Sequence, residues 1–167
     1  MEARDISRAR AEPFQISLRI RHPSIDPGAI SRELKVEPEY SFRAGDPRES
    51  GSGMAATALH AESYWLGSLS AVTAASSLIG FGGTRANLAR ERVQTAATES
   101  LTVALDAAVV SFMRQHADFI RRMQEQGQVS LLIELSTRSL SGFTLSPQFS
   151  RMLSDLGIAV ELDFVAS

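Results

Sequence analysis

Two stretches of the chain read as copies of one folding unit. Phe14-Gln15-Ile16-Ser17-Leu18-Arg19-Ile20 alternates apolar and polar residues, and Asp26-Pro27 then opens a helical pattern with Ile30 and Leu34. Val129 to Leu135 alternates in the same way, and Ser146-Pro147 opens a second helical pattern with Phe149 and Leu153. Strict alternation gives a strand with one buried face and one wet or partner-facing face. Asp or Ser followed by Pro is a helix start: the side chain caps a free N–H, and proline loses nothing at the first turn. The repeat constrains the fold strongly and says nothing about chemistry.

The remaining elements follow from periodicity. Glu37 to Gly53 is polar and rich in turn formers, and Ser63 to Leu69 is a strand of ambiguous phase carrying the one tryptophan, Trp65. Ser70 to Thr98 is rich in Ala, Ser and Thr around Gly80-Phe81-Gly82-Gly83, which predicts an extended excursion, with Thr84 as a cap for a helix through Leu88 and Val93. From Glu99 to Gln126, Leu101, Leu105, Ala108, Val109, Phe112, His116, Phe119, Ile120 and Met123 form one helical stripe. Arg114, Asp118, Arg121 and Glu125 lie on its other side. The last strand, Ile158 to Val165, turns Ile158, Val160, Leu162 and Phe164 inward.

The expected architecture is α+β: a four-stranded, mostly antiparallel sheet with helices on one face, in β-α-β-α-β-α-β order. Its two similar halves suggest a ferredoxin-like pseudo-duplication. Residues 1–13 read as a flexible N-terminal tail, and 14–167 as a single domain with an extended segment at about 70–98. A length of 167 residues suffices for a real core.

Composition removes several chemistries. There is no cysteine, so thiolate catalysis, disulfides and cysteine-ligated metals are excluded. His22, His60 and His116 have no metal-binding spacing, and neither a metal nor another cofactor is called for. A net charge of −2 gives no broad attraction to nucleic acid or anionic lipid. No run approaches the roughly 20 apolar residues of a membrane span, and a cytoplasmic location is expected.

Several of these residues together resemble a bacterial domain-of-unknown-function family, number 4279. They are Leu18-Arg19-Ile20, His22-Pro23, Ile25-Asp26-Pro27, Ile30-Ser31, Leu34, Pro38 and the turn from Gly45 to Arg48. Ser63-Tyr64-Trp65, Leu145-Ser146-Pro147, Leu153, Leu156-Gly157 and Leu162-Asp163 continue the pattern. The likeness covers most of residues 14–165, and its motifs are caps, turns and core positions. It implies no catalytic residues. Ser70 to Thr98 is longer than the family usually carries at that place.

Two candidate sites stand out. Arg43 and Arg48, with backbone N–H groups of the glycine-containing turn between them, could hold a small anion, with Trp65 as a stacking wall. The bland alternative is a surface turn closed by Asp46, with Trp65 in the core. The second site is the open sheet face, where Arg19 and Arg21 could meet Glu134, Glu161 and Asp163. Opposed charges across strands usually stabilise the sheet itself, by about 0.2–1 kcal/mol. Gly80 to Thr84 lacks the Gly-Lys-Ser/Thr ending of a phosphate loop and reads as a hinge. The expected function is a non-enzymatic binding or protein-interaction module for a protein partner or a small anion. A small enzyme with residues 70–98 as a lid, and a structural homo-oligomer, are the alternatives.

Overall fold

The computed structural model describes residues 14–48, 58–69, 101–136 and 143–165. The N-terminal tail, the excursion at about 70–98 with its glycine cluster and Thr84 cap, and Glu99 lie outside the described residues.

The described strands are β1 (Phe14–His22), β2 (Tyr40–Phe42), β3 (Ser63–Ser68), β4 (Gln128–Ser136) and β5 (Ala159–Val165). They form one mixed sheet in the order β2-β3-β1-β4-β5. The pairs β2/β3, β3/β1 and β1/β4 are antiparallel, and β4/β5 is parallel. The helices are α1 (Pro27–Leu34), α2 (Val110–Gln115), α3 (Ala117–Gln126) and α4 (Pro147–Leu156).

The sheet thus differs from the four-stranded expectation in a fifth strand and a parallel pair. Both have a physical reason. Alternation reports burial but not direction. A strand that returns through a long helical crossover runs parallel to its predecessor, and β5 follows β4 through α4. Within the stretch read as turn-forming, Tyr40-Ser41-Phe42 pairs with Leu66, Trp65 and Tyr64. Because β1 and β2 are each antiparallel to β3, β2 runs parallel to β1. The counterpart of β5 is therefore β2, and β3 is a strand inserted into the first copy. In the ferredoxin-like scheme both copies would be interleaved; here β4 and β5 are direct neighbours.

The apolar face forms as the alternation predicts. Leu18 lies opposite Leu131, Ile16 opposite Ile133, and Ile20 between Trp65 and Val129, all buried. α1 packs on β3, α3 on β4 and β1, and α4 on α2 and α3. The phase of β3 resolves with Trp65 beneath α1. On β5, Leu162 and Phe164 follow the predicted alternation but are 47% and 63% exposed, a correction to their inward assignment.

Both capped helices start as read. Asp26 accepts from Gly28 N at 2.9 Å and Ser146 Oγ from Phe149 N at 3.1 Å. They end in left-handed residues, Lys35 (φ 55°) and Gly157 (φ 65°). Gln124 of α3 pins the second unit: its amide donates to Gly157 O at 2.6 Å and accepts from Val129 N at 3.2 Å.

The long helix is interrupted twice. Ala104–Val109 is a π-helical turn, in which Val110 N–H reaches back to Leu105 O. That wider turn lets Ala108, Val109 and Val110 all be buried, which a 3.6-residue period cannot do on one narrow face. The second break is at His116 (φ −107°, ψ 18°), between α2 and α3.

Candidate binding surfaces

The turn from Arg43 to Arg48 is held by its own side chains. Asp46 Oδ2 accepts from Arg43 N at 2.7 Å, and Asp46 N donates to Arg43 O at 3.1 Å. Arg48 N donates to Ala58 O, so the β2–β3 pairing continues beyond the turn as a hairpin arm. The Arg43 guanidinium lies 2.6 Å from Asp26 Oδ1. The backbone N–H of Gly28, then Arg43 and Arg32, hold the Asp26 carboxyl below its ordinary value against the opposing effect of burial. Arg43 therefore ties the arm to the start of α1. Trp65 is fully buried under α1 and donates its indole N–H to Ser31 Oγ at 3.0 Å, so it offers no surface for a ligand to stack on. The three residues of the expected anion site do not share a cavity wall: Arg43 is committed to Asp26, Arg48 is exposed and Trp65 belongs to the core.

On the sheet face opposite the helices, Arg19 reaches across β4 to pair with Glu161 of β5, and its Nε donates to Ser130 Oγ at 3.1 Å. These two members of the expected charged face satisfy each other. Glu134 sits opposite Gln15, whose amide bonds Glu39 instead. The middle of this face is closed around Ser17 and Ser130, both buried. Arg21 differs from Arg19. Its Nε is 4.0 Å from Glu62, beyond hydrogen-bond reach, and its guanidinium lies 6.0 Å from the centre of the Tyr64 ring.

That ring belongs to a continuous aromatic strip. Phe42 stacks on Tyr64 at 5.3 Å and on His60 at 3.6 Å. Tyr40 meets both Phe42 and Tyr64 edge-on, at 5.7 and 5.9 Å. The strip exists because β2 and β3 place Phe42 opposite Tyr64 and Tyr40 opposite Leu66 on the face away from the helices. Tyr40 is 58% exposed, and Phe42, His60 and Tyr64 are half-buried. The sequence reading missed it. The usable signal was the aromatic spacing Tyr40-x-Phe42, concealed by the turn formers around it.

Two hollows in the helix layer are walled by described residues. One, of about 400 Å³, lies between the end of α1 and α2, walled by Lys35, Val36, Ser111, Phe112 and His116. Burial lowers the His116 pKa below 6.5; Glu33 opposes this and Lys35 adds to it. His22, by contrast, ends β1, and its Nδ1 accepts from Ser24 N and Ile25 N in the turn that follows, both at 3.1 Å. The other hollow, between α2–α3 and α4, is lined by arginines. Among the described residues no cluster of metal-ligating side chains occurs, and no helix is long and apolar enough to cross a membrane.

No protein-family model, curated protein or solved structure matches the chain.

Proposed function

We propose that this chain is a binding module that recognises a protein partner through the aromatic strip of β2 and β3 together with Arg21. The observation that carries this reading is the ring cluster on the sheet face without helices, in which Phe42 touches Tyr40, Tyr64 and His60, and Tyr40 also touches Tyr64. Tyrosine, phenylalanine and arginine are enriched at protein interfaces because each buries a large apolar area and retains a polar handle. Local charge supports a protein rather than a single-stranded nucleic acid. Arg21 faces Glu62 and Arg43 is paired with Asp26, so among the described residues the strip has no positive track for a phosphate backbone. Membership of the bacterial family 4279 is part of the same proposal, resting on the two proline-capped helices and the tryptophan strand.

The test compares wild type with a Tyr40→Ala, Arg21→Ala variant, both shown to be folded by circular dichroism. A protein captured by wild type should be lost by the variant. After reconstitution from purified components, its amide shift changes should fall on 40–42 and 60–66. Equal binding by both proteins, or shifts on the helix layer, would sink the reading.

A second reading, a homo-oligomer, is favoured by one observation: the edge strand β5 exposes Leu162, Phe164 and Val165. Exposed apolar edge strands invite pairing with another chain. Light scattering should then show a dimer that Phe164→Lys dissociates, and a monomer at high wild-type concentration refutes it.

A further inference from the structure

The arginine-lined hollow lies where α2 and α3 meet α4. Arg114, Ala117 and Arg121 recur at three- and four-residue steps and present one side of the broken helix. Arg151, Met152 and Asp155 face them from α4. Ala117, Met152 and Leu156 supply the apolar part of its lining. The hollow measures about 410 Å³, which falls within the roughly 300–1,000 Å³ of small-molecule pockets.

The charges are unevenly satisfied. Arg121 pairs with Asp118 at 3.2 Å, one turn away. Arg151 lies one turn from Asp155, yet the two form no ion pair, and Arg114 has none among the described residues. Two uncommitted guanidiniums therefore border one concavity, each able to donate two parallel hydrogen bonds to an oxyanion. Asp155 would repel a bare anion, but a carboxylate in the lining can accept a hydrogen bond from a hydroxyl group.

We propose that this hollow binds a small hydroxyl-bearing phosphomonoester, with the phosphate dianion between Arg114 and Arg151, a hydroxyl on Asp155 and the carbon skeleton over Ala117, Met152 and Leu156. The dianion matches the two free cations, the carboxylate selects against a bare ion, and the volume exceeds what phosphate alone would fill. This site is separate from the aromatic strip, on the opposite side of the sheet.

Isothermal titration of the whole chain with a glucose monophosphate, at ionic strength matched with sodium chloride, tests it. Saturable binding is expected, with none for glucose and binding about tenfold weaker or less for inorganic phosphate. Arg114→Gln and Arg151→Gln should each weaken binding by about tenfold, the loss of one charge-assisted hydrogen bond. Both side chains are exposed, so their urea midpoints should match wild type. Asp118→Asn releases Arg121 and should tighten binding. Absence of saturable binding, or unchanged affinity in both arginine variants, overturns the proposal. Inorganic phosphate binding as tightly as the glucose monophosphate overturns the phosphomonoester assignment in favour of a free-anion site.

Discussion

Replacing Ser31 by alanine asks whether the tryptophan belongs to the core or to a site. Trp65 Nε1–H is buried and donates to Ser31 Oγ at 3.0 Å. With the hydroxyl gone, the donor is stranded away from water, at a cost of about 1–3 kcal/mol. Alanine is a better helix former than serine, returning roughly 0.5 kcal/mol in the exposed-to-core turn of α1. The net loss should be about 0.5–2.5 kcal/mol. Trp65→Phe removes the donor and part of the ring, and costs about 1–3 kcal/mol through the cavity it leaves. In that background Ser31→Ala has no donor to strand and should be neutral or slightly stabilising. The helix-propensity gain cancels between the two backgrounds, so the coupling energy of the four-protein cycle is the stranding cost, about 1–3 kcal/mol. Urea unfolding followed by circular dichroism measures all four proteins. Because Trp65 is the one tryptophan, its emission and acrylamide quenching report wild type and Ser31→Ala independently. Equal losses from Ser31→Ala in both backgrounds, or ready quenching in wild type, would refute the core placement and restore Trp65 as a surface for a ligand.

Four other outcomes follow from backbone geometry and burial. Lys35 holds a left-handed φ of 55° that glycine adopts freely, so Lys35→Gly should raise the unfolding free energy by about 0.5–1 kcal/mol, while Gly157→Ala at φ 65° should lower it by about 1 kcal/mol. A Cβ on Gly67 would stand 2.3 Å from Trp65 Cη2; Gly67→Ala should cost about 1–3 kcal/mol and shift the tryptophan emission. His116 has a folded pKa below 6.5 because burial disfavours its charged form. The folded state then binds fewer protons than the unfolded chain just below that value, so stability is fully present above about pH 6.5 and declines as pH falls toward the lower folded pKa. Urea midpoints across that range should show the decline in wild type and a flatter curve in His116→Gln.

Much of the fold was legible because caps and alternation are local signals. Asp26-Pro27 and Ser146-Pro147 place both helices, and the inward residues of β1 and β4 are buried as read except Phe14, which is half-buried. Strand direction was not legible, since Ala159–Val165 alternates identically whether it runs parallel or antiparallel to β4. The two helix breaks were hidden for a related reason: Phe112, Phe119, Ile120 and Met123 keep a helical period across the turn at His116. For the candidate face, the sequence offered Arg19 and Arg21 three acidic partners, Glu134, Glu161 and Asp163, and could not show that Arg19 and Glu161 neutralise each other. It took Arg43, Arg48 and Trp65 as adjacent because they are close along the chain; strand alternation sends Trp65 to the opposite face from Tyr64 and Phe42.

The repeat that organises the chain also explains where its two halves diverge. Each copy is a strand, a proline-capped helix and a second strand parallel to the first, and each ends at one edge of the sheet. In the second copy β5 lies directly on β4 and leaves an edge of exposed aliphatic and phenylalanine side chains. In the first copy β3 intervenes, and its pairing with β2 brings four rings together on a surface that a simple repeat would not contain. The inserted strand therefore does two things at once. It supplies Trp65 to the shared core on one face and Tyr64 to the aromatic strip on the other. A folding residue and a recognition residue are adjacent in the chain, and the period of two in a strand is what separates their roles.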